Sequence, residues 1–313
     1  MKIMIMGTGG VGAYYGGLLA QQGNDVTFIA RGAHLEAIRT KGLQVKSIFG
    51  DFTVHPAKAS DKPAEIGPVD LILFCTKTYN TDEAAQAIQS AIRPQTAVLS
   101  LQNGVDATDR IGKIVGLEHV IGGATWLSSA VEAPGVIKQV SQFRRIVFGE
   151  LDGVRSERIQ SIYDVLKNIG VTVEVSENIL KILWTKFVFI SSASSFGSLT
   201  RLPMGEYRSI PETRAMIVGL MREVEVVARA QGIDLDEDVV QKSLDFMDNA
   251  APHIKASMQL DVDAGRRTEL ESMIGVIGRK GRQLGVPTPI ADFIYASLLP
   301  IELKARKGLS SAP

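Results

Sequence analysis

The chain has 313 residues with 34 basic and 34 acidic side chains, so its formal net charge is zero. This length is enough for two hydrophobic cores, because domains typically contain roughly 100–200 residues. A neutral chain without basic runs gives no electrostatic reason to expect nucleic acid or an anionic membrane as a partner.

Cys75 is the single cysteine, which excludes an intrachain disulfide and fits a reducing cytosol. It lies in an apolar run, which favours a buried and inert thiol. No stretch approaches the roughly 18 continuous apolar residues of a membrane span. We therefore expect a soluble, cytoplasmic protein.

The first half of the chain alternates apolar strands with helices. Strands are predicted at residues 3–6, 25–30, 71–75, 97–101 and 171–175, and helices at 13–22, 81–91 and 156–168. Residues 45–54 are expected to be extended, and residues 136–140 and 145–149 are typical of a hairpin. The alternation predicts an α/β fold with a Rossmann-type, doubly wound parallel sheet.

The second half, from about residue 177, shows only helical patterns. Apolar residues recur at helical spacing between 217 and 228, and Gly232 ends that run. Thr268 and Glu271 have the spacing of a capping box, and Thr288-Pro289 begins a further helix. We expect an α/β domain over residues 1–175 and an all-helical domain over 176–313, whose apolar faces are compatible with a homodimer.

A glycine-rich turn directly follows the first predicted strand. Its sequence, Gly7-Thr8-Gly9-Gly10-Val11-Gly12, has the Gly-x-Gly-x-x-Gly pattern. The first glycine permits a tight turn, the second lets backbone approach a pyrophosphate, and the third lets helix pack closely on strand. The helix N-terminus then faces the phosphates. Because the pattern follows a strand and opens a helix, it favours dinucleotide binding over a turn without a ligand.

Arg31 indicates which dinucleotide is bound. An NAD site usually carries an acidic residue about 20 residues past the turn, but the second strand here ends Ile29-Ala30-Arg31-Gly32. The Arg31 guanidinium is suited to a 2′-phosphate. We therefore expect NADPH as the cofactor, with a solvated surface arginine as the alternative.

Polar residues follow two further strands, at the edge where open α/β sheets bind ligands. They are Lys77, in Cys75-Thr76-Lys77-Thr78, and Asn103, in Leu101-Gln102-Asn103-Gly104. Asn-Gly is also a common turn dipeptide, so a structural role for Asn103 stays open at this stage. No metal-ligand spacing is visible, and the four histidines are scattered.

Lys186 is the strongest candidate for acid–base chemistry. It lies in Leu183-Trp184-Thr185-Lys186-Phe187-Val188-Phe189-Ile190, an almost wholly apolar stretch. Such a lysine either extends its amine to the surface or is kept for proton transfer. Glu269 is a weaker candidate, because an acidic residue in a first helical turn also suits the helix dipole.

Taken together, these residues resemble the ketopantoate reductase (2-dehydropantoate 2-reductase) family over nearly the whole chain. The resemblance rests on the glycine turn, Arg31, Lys77, the 101–104 and 184–186 segments, and Ser257-Met258 followed by Gly265-Arg266-Arg267-Thr268-Glu269. It implies NADPH-dependent reduction of 2-dehydropantoate to (R)-pantoate, in pantothenate and coenzyme A biosynthesis.

The resemblance also implies a role for each site residue. Lys186 is the general acid, and Glu269 orients the substrate and Lys186 and contacts the cofactor. Asn103 and Lys77 lie at the nicotinamide end of the site, with Asn103 also contacting substrate. Ser257 and Ser194 are implied substrate-binding residues.

Three positions depart from the family pattern, which usually has asparagine where Ile190, Ser194 and Ile254 stand here. A site that loses amide groups should change its choice of substrate. Two alternatives therefore stay open. One is a related D-2-hydroxyacid dehydrogenase that takes a more apolar 2-keto acid. The other is a catalytically silent NADPH-binding sensor, although a sensor needs neither Lys186 nor Glu269.

Overall fold

The structure, a computed structural model, describes residues 1–310 in two compact units. The first unit contains Met1–Gln102 and Ala107–Ile182, and the second contains Asn103–Asp106 and the chain from Leu183 onward. The strands all belong to the first unit: β1 (Lys2–Met6), β2 (Asp25–Ile29), β3 (Leu43–Ser47), β4 (Phe52–Val54), β5 (Lys58–Ser60), β6 (Leu71–Phe74), β7 (Ala97–Ser100), β8 (Val120–Trp126), β9 (Ser129–Ala133), β10 (Val136–Gln139), β11 (Arg145–Gly149) and β12 (Thr172–Val175).

The helices follow in chain order. The first unit has α1 (Gly10–Gln21), α2 (Gly32–Lys41), α3 (Thr81–Ile88), α4 (Ala107–Val115) and α5 (Glu157–Leu166). The division between the units falls inside α6 (Ile179–Thr200). The second unit continues with α7 (Met204–Tyr207), α8 (Pro211–Ala230), α9 (Val239–Asn249), α10 (Ser257–Asp263), a π-helical turn (Glu271–Gly275), α11 (Val276–Leu284) and α12 (Pro289–Ser310).

The predicted Rossmann-type sheet is confirmed. Its strand order is β12-β11-β8-β7-β6-β1-β2-β5, and every neighbouring pair is parallel except β8 with β11. β6 and β7 are buried along their whole length, which explains their continuous apolar sequences. Burial also raises the pKa of the Cys75 thiol, directly after β6, to about 12, as expected for an inert cysteine.

A second sheet corrects the predicted hairpin at 136–149. Its order is β4-β3-β10-β9, so β10 pairs with β3 and β9, whereas β11 belongs to the main sheet and pairs with β8 and β12. The hairpin prediction was wrong because β10 finds its antiparallel partner before it in the chain, across a turn at Gly135 with a φ of +76°. The extended segment at 45–54 is the antiparallel pair of β3 with β4.

Among its described residues the second unit contains helices and no strand, as predicted. The apolar stripe of α8 is buried in its core: Ile217, Leu220, Met221, Val224, Val227 and Ala228. One helix, α6, is long and apolar enough to cross a membrane by length and composition. In the structure, 56% of its apolar window is buried inside the protein.

The predicted capping box at Thr268 and Glu271 was wrong. Glu271 does not return to Thr268; it accepts hydrogen bonds from Arg279 and Tyr295 instead. The backbone N–H of Thr268 is donated to Glu302, a residue of α12 that is distant in the chain. The spacing was correct for a capping box, but a carboxylate from another helix takes the place of the local one.

Candidate active site

The glycine turn has the geometry that its sequence predicts. Gly7 has a φ of +99°, and a Cβ there would stand 2.7 Å from the backbone nitrogen of Thr76. A Cβ on Gly12 would stand 2.2 Å from the carbonyl oxygen of Gly7, so α1 approaches β1 too closely for a side chain. A Cβ on Gly9 would meet nothing within 4 Å. The first and third glycines are thus required for packing, whereas Gly9 borders open space suited to a pyrophosphate.

Hydrogen bonds from residues that are distant in the sequence hold this turn in place. The N–H and hydroxyl of Thr8 both donate to the carbonyl oxygen of Ile29, at the end of β2. His34, in α2, accepts the Gly135 N–H at Nδ1, so its Nε2 donates to the Thr8 carbonyl oxygen 2.8 Å away. Burial lowers the pKa of His34, which favours this neutral state. No sequence pattern marks His34 for this role, which is visible only from its position in the fold.

Arg31 and Lys77 stand on the two sides of this turn. Arg31 occupies the N-cap position of α2, after β2, and its guanidinium lies 2.7 Å from the Glu83 carboxylate. Both side chains are more than three-fifths exposed. Lys77 follows β6 and adjoins Thr76, whose backbone contacts Gly7. The first unit therefore places two cationic side chains near the glycine turn.

Lys186, Asn103 and Glu269 come together in the second unit. The Lys186 ammonium donates to the Asn103 side-chain oxygen at 2.9 Å. Burial lowers the pKa of Lys186 to about 8, and the charge of Glu269 opposes that effect by raising it. Glu269 is only 6% exposed. An ammonium of this kind can donate a proton near neutral pH.

Asn103 joins this cluster because residues 103–106 belong to the second unit rather than to the sheet they follow. Gly104 has a φ of +99°, which turns the chain beside the carbonyl oxygen of Ser272. Val105 packs on the helical core, and Asp106 lies 3.7 Å from the Arg279 guanidinium. The Asn-Gly dipeptide thus forms a turn and also presents a site residue, so the two readings of Asn103 are compatible.

The remaining predicted residues are more dispersed. Ser194 lies two turns after Lys186 on α6 and is buried, and Ile190 lies one turn after it and is partly buried. Ser257 is exposed at the first residue of α10. Ile254 is 40% exposed in the loop before α10. Residues 1–310 contain no group of three or more His, Cys, Asp or Glu side chains arranged to hold a metal.

The Rossmann-type sheet, its glycine turn and a partly desolvated lysine define a pyridine-nucleotide oxidoreductase. Comparison with known families agrees. The model described as "Ketopantoate reductase PanE/ApbA" matches residues 3–153, and "Ketopantoate reductase PanE/ApbA C terminal" matches residues 178–302. The chain belongs to the ketopantoate reductase family.

Individual relatives are similar over almost their whole length. A 2-dehydropantoate 2-reductase of Pyrococcus abyssi is 31% identical, with 93% of this chain and 94% of the relative covered. The crystal structure of a PanE/ApbA family ketopantoate reductase from Ralstonia eutropha JMP134 has a TM-score of 0.90 at 31% identity, covering 98% of this chain and all of that one. A D-mandelate dehydrogenase with bound NADH and anilino(oxo)acetate has a TM-score of 0.90 at 27% identity, covering 98% and 99%.

Because Gly9 and Gly12 have different surroundings, alanine at the two positions should have different effects. Gly9→Ala is expected to leave the free energy of unfolding within about 0.5 kcal/mol of wild type and to weaken dinucleotide binding about tenfold or more. Gly12→Ala is expected to destabilise the fold by about 1–3 kcal/mol, because the backbone oxygen of Gly7 cannot move aside. Urea unfolding and fluorescence titration with NADPH measure the two effects. Equal loss of stability in both variants would contradict the assignment.

Proposed function

We propose that this oxidoreductase reduces a 2-keto acid with NADPH, with 2-dehydropantoate as its leading substrate and (R)-pantoate as the product, in pantothenate and coenzyme A biosynthesis. The observation that carries the proposal is the cluster of Lys186, Asn103 and Glu269. Residues 1–175 would bind the cofactor and residues 176–313 the substrate. The single cysteine supports a cytoplasmic location.

Reduction of a ketone requires a hydride and a proton. Bound NADPH supplies the hydride. The Lys186 ammonium would stabilise the negative charge that develops on the keto oxygen and then donate its proton to that oxygen. Asn103 orients the ammonium by accepting one of its N–H groups, and Glu269 favours its protonated form. Ser194 and Ser257 would donate hydrogen bonds to the polar end of the substrate.

The lysine's role predicts a pH profile. A general acid must carry its proton, so kcat/KM should be high below the Lys186 pKa and fall as the pH rises through about 8. Glu269→Gln should move this basic limb to lower pH, because the charge that raises the Lys186 pKa is removed. Lys186→Met should lower kcat by a factor of about 10²–10⁴ while NADPH binding is retained.

Steady-state assays of NADPH oxidation over pH 6–10 test this, with NADPH fluorescence as the control for binding. An unchanged kcat in Lys186→Met would remove the general-acid assignment. A folded wild-type protein that binds NADPH but reduces no 2-keto acid would instead favour a silent sensor.

Arg31 supports NADPH as the cofactor. Its guanidinium stands where the second strand ends, the position from which Rossmann-type proteins read the ribose 2′ position. Its ion pair with Glu83 is solvent-exposed, and such pairs contribute only about 0–1 kcal/mol. A 2′-phosphate would therefore displace Glu83 at little cost, and a planar guanidinium binds phosphate in a bidentate manner.

Arg31→Ala should raise the KM for NADPH about tenfold or more, because a charge-assisted hydrogen bond is lost, and should leave the KM for NADH nearly unchanged. The ratio of kcat/KM for the two cofactors measures the effect. Arg214→Ala is the matched control, because Arg214 also forms an exposed ion pair, with Asp248, but on α8. A wild-type preference for NADH would overturn the NADPH assignment.

A second candidate is a reductase for a more apolar 2-keto acid. Two observations favour it. Ile190 stands one helical turn from Lys186, where it offers a hydrocarbon surface and no hydrogen bond. A D-mandelate dehydrogenase, whose name indicates an aromatic hydroxy acid, has a TM-score of 0.90 to this chain. Apolar sites tolerate small changes of substrate, whereas sites that hydrogen-bond a hydroxyl reject substrates that lack one.

Ile190→Asn distinguishes the two candidates. If the natural substrate is apolar, the variant should lose about tenfold in kcat/KM toward phenylglyoxylate and gain toward 2-dehydropantoate, because an unpaired amide beside an apolar group is costly. Rates with both substrates, measured for wild type and variant, check the expectation. A wild-type enzyme with a kcat/KM for 2-dehydropantoate of about 10⁴ M⁻¹s⁻¹ or more would establish the first candidate.

A further inference from the structure

Glu302 is a buried carboxylate in α12 whose hydrogen bonds converge on the segment that carries Glu269. It is 1% exposed. Its Oε2 accepts both the backbone N–H and the hydroxyl of Thr268, each at 2.7 Å. Its Oε1 accepts the Arg306 Nε–H at 2.7 Å, and Arg267 Nε lies 3.9 Å from the same oxygen. A buried carboxylate is tolerated when it is paired and hydrogen-bonded in this way.

Thr268 is the residue directly before Glu269, and its contacts fix the backbone on both sides. Its hydroxyl oxygen also receives the Leu270 N–H at 3.3 Å. The carbonyl oxygen of Glu269 accepts the N–H groups of Ser272 and Met273, at the start of the π-helical turn. The Glu269 backbone is therefore held between the Thr268–Glu302 contact and the π-helical turn. π-helical turns are frequent at functional sites, where they adjust the direction of a side chain.

The surrounding charges belong to the same network. Arg306 also lies 3.8 Å from Glu271 Oε1, and the other Glu271 oxygen accepts a hydrogen bond from Arg279. The Arg306 pair joins α12 to the π-helical turn, and the Arg279 pair joins α11 to it. Lys186, in contrast, receives its electrostatic support from Glu269.

We propose that Glu302 is a positioning residue for the reaction: by holding Thr268, it keeps the Glu269 carboxylate where its charge acts on Lys186. This rests on the proposed function, in which Lys186 is the general acid. The chain of contacts runs from Glu302 to Thr268, along the backbone to Glu269, and through its charge to the lysine amine. Glu302 itself touches none of the reacting atoms.

The chain offers a matched control in Glu223. Its two carboxylate oxygens accept the backbone N–H groups of Ile290 and Ala291 at 2.8 and 2.9 Å. Glu223 therefore caps the N-terminal end of α12, the same helix whose later turns carry Glu302. Glu223 lies in α8 and, like Glu302, is a carboxylate that supports α12, but its hydrogen bonds are to Ile290 and Ala291 rather than to Thr268.

Glu302→Gln, Thr268→Val and Glu223→Gln are compared with wild type by thermal unfolding and by pH profiles of kcat/KM in the full-length protein with NADPH. Glu302→Gln should lower kcat about tenfold and move the basic limb to lower pH, because a displaced Glu269 no longer raises the Lys186 pKa. Thr268→Val removes only the hydroxyl and should give a smaller shift in the same direction. Glu223→Gln should lower Tm without moving the limb.

A double variant separates positioning from a general structural effect. Once Glu269→Gln has removed the charge, adding Glu302→Gln should move the basic limb no further. Additive shifts of the basic limb would overturn the proposal. A Glu302→Gln enzyme with a lower Tm but an unchanged basic limb and an unchanged kcat would also overturn it. If Glu302→Gln fails to fold, Thr268→Val decides on the same criteria. A different result would show that the proposed function is wrong: the Lys186→Met variant would still show the basic limb in its pH profile.

Discussion

The proposed reaction depends on one amine withdrawn from water, that of Lys186. Lys186 stands in an apolar helix, where burial disfavours its charge. The charge of the Glu269 carboxylate acts in the opposite direction by raising the Lys186 pKa. The Asn103 amide oxygen accepts a hydrogen bond from the ammonium. The balance leaves a lysine with a pKa of about 8, which is suited to proton donation near physiological pH.

That balance requires residues from three distant parts of the chain, and this limited what the sequence could predict. The glycine turn was predictable because its sequence pattern lies within six consecutive residues that directly follow a strand and open a helix. The α8 stripe was predictable for the same local reason. His34 and Glu302 were not, because each acts on a residue far away in sequence, and neither has a distinctive local pattern.

The two errors have the same origin. The prediction of a hairpin at 136–149 was wrong because a local pattern of apolar residues cannot show which sheet a strand joins. β10 and β11 belong to different sheets. The prediction of a capping box at Thr268 was wrong because the Thr268 N–H is donated to Glu302 of α12 rather than to the side chain three residues ahead. Helix N-termini need their backbone donors satisfied, but the sequence does not specify which carboxylate does so.

Family membership also gives more information about the acid–base residues than about the residues that recognise the substrate. In the proposed mechanism, Lys186 and Glu269 would serve any 2-keto acid, because every such substrate develops negative charge on the same keto oxygen. Ile190 stands one turn away on the same helix, and in the proposal it would contact the rest of the substrate without taking part in the proton transfer. A change at that position can therefore alter substrate choice without disturbing the lysine. Family membership consequently supports the reaction type more strongly than it supports the substrate.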